Sequence, residues 1–593
     1  MNKTFKSIVK YGVFPLVLVL FPLIKVSKGI DLTDTAYSLG NYKFFGDSKV
    51  LWTYLTYLAN VVGKFLTLLP TGNTMLGMKV YCSLIVSVLA LLGYRFYLTK
   101  MPCWIAFVGE MAAIGLCWCP TVILYNYLTY LLFLLGVIFL FRGLAGARPG
   151  CLILAGVVLG VNTFVRFPNN GLEVLLILAV WYYGFICNKS VKEITGETLR
   201  CILGYAIGFL AIVIVMSINY GLSIFGTMIS GVISMSGSAS DYTFGQMLLS
   251  ILSAYGHGMK WLSVMVLCVL PGIPFLMLQK DFYPKLRKVV YIACIAFLFF
   301  VLAKWGMFNL RYFQKESALQ WGAVFLIVSI GICLWMIFSS KPNTEWRLIG
   351  ALSFIIILIT PLGSNNYIWP ALNNLFFIAP MSFWMIFRFA KWGREYLDAG
   401  AKVPLFSLKA MMSAICIMFF IQTIGVGIFY VFLDGEFGEE VAYQVKDNTV
   451  LQGMKTTEGN AKNLSGITEY MNLHANEFGD RNLILYGNIP GLSYYLDKPT
   501  AIYTSWPDLD TNSIQTLKTD LQNLDGVEGD ARPIVIITPP ISAYMEGNEE
   551  LMNFWSTDAE KLSADPKWNA IMDFMQRNHY VSYYGNEAFV VYE

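Results

Sequence analysis

The sequence predicts a polytopic α-helical membrane protein of about 13 transmembrane helices, followed by a C-terminal soluble α/β domain. Three observations carry this reading. Of 593 residues, 56% are hydrophobic and only 13% charged, at a mean hydropathy of +0.58; a soluble chain is about 25% charged. Apolar runs recur as far as residue 433, many near the ~20 residues a span requires. The charge is also split: from Asp434 onward there are 10 Lys and Arg against 25 Asp and Glu, while the residues before it carry 32 and 13. A basic membrane part and an acidic tail suit opposite sides of a bilayer. The expected division is 1–433 for the membrane part, with an external first loop at 28–73, and 434–593 for an external soluble domain.

At the N-terminus, Lys3, Lys6 and Lys10 precede the apolar run Tyr11 to Val26. This resembles a signal peptide, but Val26-Ser27-Lys28 is no small-residue cleavage site and many spans follow, so the run reads as an uncleaved anchor with a cytoplasmic N-terminus. The next stretch, to about Asn73, interleaves Tyr42, Phe44, Phe45, Trp52, Tyr54 and Tyr57 with polar residues. It predicts one or two helices lying in the interface, aromatic side down. Further spans are expected at about 75–94, 103–118, 121–141, 150–165, 171–187, 202–225, 261–279, 289–303, 319–338, 348–361, 373–390 and 410–433. The runs at 103, 150, 289 and 348 are short, which implies tilt, irregularity or burial within the bundle. Alternate loops are basic, among them those with Arg95 and Lys100, Arg142 and Arg148, and Lys189, Lys192 and Arg200. By the positive-inside rule these are cytoplasmic, and an odd span count leaves the tail outside. The protein is thus expected to be a multi-pass protein of the plasma (cytoplasmic) membrane.

In the tail, 482–486 and 533–537 are short apolar runs of buried-strand type, 588–592 is a third, and 461–475, 512–524 and 568–578 have helical spacing. The run from Gly487 to Gly491 lacks a dinucleotide fingerprint and reads as a strand-to-helix turn. The 11 Cys lie mostly within apolar runs, where a thiol packs as a small hydrophobe. Cys117-Trp118-Cys119 is not metal spacing, and His257 has no second ligand at zinc spacing.

Acids are so scarce before Asp434 that elimination is informative. Glu193, Glu197, Asp281, Glu345, Glu395 and Asp398 fall in basic loops, and Glu110 lies mid-span, where it must be paired or protonated. Asp31, Asp34, Asp47, Glu173, Asp241 and Glu316 remain for the external face, and only Asp31 and Asp34 form a pair. Placed just beyond the anchor, they fit two roles that are not exclusive. One is an N-cap for a following helix; the other is a group kept there by water, a cation or a substrate. Arg166 ends a small-residue helix at the external boundary, where its planar fork suits phosphate oxygens. It equally fits a snorkelling anchor or a partner for Glu173. Lys304 and Arg311 lie in another external loop and are secondary candidates.

The segment Thr33-Asp34-Thr35-Ala36-Tyr37, after an anchor and before many spans and an α/β tail, resembles the first-loop motif of the GT-C superfamily. Its members are membrane glycosyltransferases that use polyprenyl-phosphate sugars, among them protein O-mannosyltransferases and lipid A aminoarabinose transferases. The resemblance implies a GT-C-like fold with Asp34 as catalytic base, Asp31 in support and Tyr37 on the donor side. It implies that Arg166 meets the donor phosphate; Arg311 and Lys304 stay weaker donor-binding candidates by their place in an external loop. The stretch from Pro120 to Thr129 resembles a second region that often carries an Asp; here the position is Asn126, a weaker ligand for any divalent metal ion. The implied partners are a polyprenyl-phosphate sugar, a lipid, glycan or protein acceptor, and membrane lipids, with no nucleic acid. A transporter or flippase of lipid-linked saccharides is the alternative. Such proteins often carry paired repeats, and none is visible here. A binding or scaffold role for the tail ranks third, since the tail carries no site signature.

Overall fold

The computed structural model describes residues 3–46, 50–235, 243–269, 284–309, 318–398, 405–435 and 438–593. Among them, six helices are long and apolar enough to cross a membrane: Thr4–Leu23, Met75–Tyr97, Leu124–Ala145, Asn169–Ile186, Val191–Tyr220 and Ala318–Phe338. Six shorter apolar helices of 10–17 residues accompany them, including Cys103–Leu116 and Pro149–Asn162. The chain is a multi-pass membrane protein. The run expected at 202–225 lies mostly on a longer helix, Val191–Tyr220, that starts at a capping box of Ser190 and Glu193 and stops at Gly221, whose φ is +76°; its last residues open the next helix, Ser223–Met235. Of the run expected at 261–279, residues 270–279 lie outside the described residues, and 261–269 fall on a helix that begins earlier, Phe244–Val269. Its first turns put Phe244, Leu249 and Leu252 on the exposed side, an amphipathic stripe that mean hydropathy does not register.

The two ends of the bundle differ. Met75–Tyr97 rises about 34 Å at 1.5 Å per residue. At its start, Met75 N donates to Val450 O of the tail, 2.9 Å away. Beyond its other end, Lys100 pairs with Glu345 at 2.7 Å. Lys189 and Glu197 form a second pair at 2.5 Å. Two of the acids expected in basic loops are therefore neutralised locally.

Glu110 is fully buried, and neither carboxyl oxygen has a hydrogen-bond partner among the described residues. Of the two ways to keep such a group, a partner or a proton, the structure supplies no partner. Replacing an unsatisfied buried polar group with an apolar one of similar size relieves about 1–3 kcal/mol. Glu110→Met is therefore expected to unfold at or above the parent temperature in detergent. A clear drop would show that Glu110 has a stabilising partner.

The first loop holds three helices, Asp34–Lys43, Leu51–Leu55 and Tyr57–Thr67. The expectation of aromatic faces turned to lipid is corrected here. Tyr42 and Tyr57 are buried, whereas Phe65 and Leu68 are exposed. The reason is polar: the Tyr42 hydroxyl donates to Val122 O at 3.0 Å and accepts from Leu124 N at 3.1 Å, and a buried hydroxyl needs such partners.

The tail contains a four-stranded sheet of order β1-β2-β4-β3, with β1 Leu483–Tyr486, β2 Ile534–Ile537, β3 Ser582–Gly585 and β4 Val590–Tyr592. β1 and β2 are parallel, and β4 runs antiparallel to both β2 and β3. The parallel pair is buried on both faces, as parallel strands usually are. Ile484, Tyr486, Val535 and Ile537 pack with Leu517, Leu521, Trp568 and Phe574. Leu483, Leu485, Ile534 and Ile536 belong to the large core that continues into the helical part. The sheet is thus joined to the bundle through apolar packing.

Candidate functional site

The chain leaves the first helix as an irregular segment, residues 27–32, with a single bridge at Lys28 to Lys455, before turning into the Asp34–Lys43 helix. Its main-chain groups are bonded in succession. Lys455 N donates to Ser27 O at 2.7 Å, and Gly29 N donates to Lys455 O at 2.9 Å. Lys79 Nζ donates to Lys28 O and Gly29 O at 2.7 and 2.8 Å. Ile30 N donates to Asp434 Oδ2 at 2.8 Å. The Tyr495 hydroxyl donates to Asp31 O, and Gly491 N donates to Leu32 O at 2.8 Å. Gly29 has φ +91°, a conformation glycine adopts without strain.

The two carboxylates that look equivalent in sequence differ in three dimensions. Asp31 is 2% exposed. Its Oδ1 accepts from Thr33 N and Thr33 Oγ1 at 2.8 and 2.6 Å, and its Oδ2 accepts from Thr35 N at 2.7 Å. It satisfies free donors at the start of the helix, the task of a capping group. Burial pushes its pKa up, and those hydrogen bonds oppose the rise. Asp34 is half-buried, and its carboxylate accepts no hydrogen bond from any described residue. Burial first, and then the neighbouring Asp31 charge, push its carboxyl up to about 7.

Around this pair lie lysines that the sequence reading did not single out. Lys79 is buried within electrostatic reach of Asp31 and Asp434. A small pocket is lined by Lys25, Lys28, Trp118, Cys119, Tyr430 and Phe432. Tyr430 stands close enough to Asp31 and Asp34 to feel both charges. The buried Lys25 ammonium donates to Tyr430 O, and the Lys28 side chain is exposed. The available signal was the position of Lys25 and Lys79 inside or at the edge of apolar runs, where a charge needs a reason.

Arg166 lies four residues past the end of the Pro149–Asn162 helix rather than at its last turn. Short bonds from Phe164 N to Val161 O and from Val165 N to Asn162 O tighten that exit, and Phe167 N donates to Leu55 O of the first loop. The helix is held by close packing on Val191–Tyr220: a Cβ at Gly156, Gly160, Gly204 or Gly208 would strike the opposite main chain. The Arg166 guanidinium sits over the Tyr125 ring, 5.7 Å from its centre, and its buried Nε has no hydrogen-bond partner among the described residues. Glu173, one expected partner, is instead held by Asn162 Nδ2 at 2.7 and 3.0 Å. Arg166, Thr129, Asn169, Asn170 and Glu173 line a common pocket.

Asn126 is 7% exposed, and its amide has no hydrogen-bond partner among the described residues. It is two residues beyond the Leu124 N that binds Tyr42 of the Asp34 helix. Tyr125 in turn links Arg166 to Trp52, their rings 5.3 Å apart. The first loop thus bonds to the main chain just before Asn126 and packs on the Tyr125 ring that lies under Arg166, although no hydrogen bond or ion pair joins Asp34 to either residue among those described. Tyr37 is placed differently from the donor-side expectation. It is buried against the tail, with its hydroxyl 3.2 Å from Thr504 Oγ1 and its ring edge-on to Trp506. The buried phenol is taken up by docking. Lys304 is an exposed helix end. Arg311, Asp47, Asp241 and Glu316 lie outside the described residues. Among the described residues no three His, Cys, Asp or Glu side chains form a metal-ligand group.

No protein-family model matches the sequence, and no curated protein does. Among solved structures, the chain is similar to ArnT from Cupriavidus metallidurans bound to undecaprenyl phosphate, at 10% identity over 100% of this chain and 98% of that one, TM-score 0.40. It is also similar to the Archaeoglobus fulgidus oligosaccharyltransferase. The apo form gives 11% identity over 100% and 75% of the two chains, TM-score 0.44. The complex with zinc and sulfate gives 10% identity over 98% and 72%, TM-score 0.46.

Proposed function

We propose that the protein transfers a sugar from a polyprenyl-phosphate-linked donor to an acceptor at the external face of the membrane, with Asp34 as general base. The observation that carries this reading is the division of labour at the first loop. Asp31 is consumed by capping, while Asp34, on the same turn, keeps a free, half-buried carboxylate with a pKa near neutrality. A base is most effective when its pKa is near the working pH. The acceptor hydroxyl or amine gives its proton to Asp34 as its oxygen or nitrogen attacks the anomeric carbon. The bond from that carbon to the phosphate oxygen breaks, and polyprenyl phosphate leaves with the electron pair. Arg166 faces the phosphate and stabilises the charge that develops on it. A single attack of this kind inverts the anomeric centre. The aromatic residues Trp118, Tyr125 and Tyr430 suit a sugar face and the start of a lipid tail.

The assay is transfer of labelled sugar from a polyprenyl-phosphate donor in vesicles. Transport of lipid-linked sugar across the bilayer, without transfer, would favour the flippase reading.

The sidedness follows from charge. The tail and the first loop share one end of the bundle, and the Lys100 and Lys189 ion pairs mark the other. Reporter fusions after Arg148 and after Glu593 are expected to report opposite sides, with the latter external. The same side for both would remove the external site.

A further inference from the structure

Asp34 lies three residues beyond Asp31, so its place depends on where the segment 27–32 is held. Tail residues supply most of that hold, and the last two bonds before the helix come from Tyr495 and Gly491. Tyr495 is buried and is itself fixed, since its main-chain N donates to Gly491 O at 3.0 Å and its main-chain O accepts from Asn448 Nδ2 at 2.9 Å. Its hydroxyl is therefore a rigid donor aimed at Asp31 O. At Gly491 a Cβ would stand 2.6 Å from the Ala36 Cβ and 2.8 Å from Leu32 O. Only a residue without a side chain lets the tail approach this closely.

We infer that Tyr495, with Gly491 beside it, is a positioning residue for the transfer reaction: the tail fixes Asp34 in place without contributing a reacting group. The inference rests on the reading of Asp34 as the base. A base must come within about 2.6–3.2 Å of the proton it takes, and a misplacement of about 1 Å can cost roughly 100-fold in rate. The loss of one hydrogen bond that sets a neighbouring main-chain group should cost less, about tenfold.

Tyr495→Phe removes one oxygen and keeps the buried ring. In the full-length protein it is expected to lower kcat about tenfold and leave the donor KM within about twofold of the parent. Amide hydrogen exchange across residues 33–43 should quicken, Thr33 and Thr35 included. In single-turnover assays it should cost nothing further in an Asp34→Asn background. Gly491→Ala should reproduce the pattern by pushing the tail away from Leu32 and Ala36. Unchanged exchange over 33–43 in both variants would overturn the inference, as would an equal rate loss with and without Asp34. If exchange quickens but the parent transfers no sugar from any lipid-linked donor, the positioning stands and the transferase reading falls.

Discussion

Asp34→Asn is expected to fold, to bind the lipid-linked donor like the parent, and to lose roughly 10²- to 10⁴-fold in turnover, the usual contribution of a positioned base. Nothing in the structure leans on the lost charge, because the Asp34 carboxylate bonds to no described residue. The helix start is held instead by Asp31, so Asp31→Asn should act by loosening that cap, at a cost nearer 1 kcal/mol in stability. The pH profile sharpens the test. The base works only when deprotonated, and the Asp34 pKa is raised to about 7. The parent rate should climb about tenfold per pH unit from pH 5 and level off above about 7, and Asp34→Asn should lose that limb. The same shift has a thermodynamic sign. With its folded pKa above its unfolded one, Asp34 binds more protons in the folded state, so its contribution to stability falls as pH rises from about 4 to about 7. A well-folded Asp34→Asn protein that transfers sugar at the parent rate would end this mechanism.

Arg166 carries the second large effect. Among the described residues its buried Nε has no hydrogen-bond partner, and Glu173, its expected acid, is held by Asn162, an arrangement that suits an anionic ligand. Hydrogen bonds to charged groups are worth about 1.5–3 kcal/mol, so Arg166→Ala should weaken donor binding roughly 10- to 100-fold. Arg166→Lys keeps the charge but loses the fork and should fall between. Measured donor affinities equal to the parent in both variants would reduce Arg166 to a membrane anchor resting on Tyr125.

Much of this architecture is legible in the sequence, because spans and buried parallel strands are written as apolar runs. Each predicted run coincides with a helix over at least part of its length, and β1, β2 and β4 match 482–486, 533–537 and 588–592. β3 was not read, since Ser582–Gly585 is largely exposed and carries no apolar run. The helix Phe244–Val269 was misplaced because its early apolar residues face outward along one stripe. At the site, the position of Asp31 and Asp34 was readable but their roles were not. Which carboxylate caps and which stays free depends on how the chain turns at Thr33. The partner of Tyr37, Thr504, is 467 residues away, and no local pattern carries that information. Lys25 and Lys79 were hidden for the opposite reason. Each sits in or beside an apolar run, and its role is visible only once the carbonyls of Tyr430, Lys28 and Gly29 come within reach.

The bond from Tyr495 to Asp31 joins residues 464 apart in the chain, and this has a consequence during synthesis. At roughly 5–20 residues per second, about half a minute to a minute and a half separates the first loop from the residue that holds it. For most of that interval Lys79 is the one main-chain partner of segment 27–32 already made, Asp434 and Lys455 follow late, and Gly491 and Tyr495 come last. A ribosome that stalls before residue 491, or a protease that removes the tail early, therefore leaves a chain whose first loop lacks the hydrogen bonds from Gly491 and Tyr495.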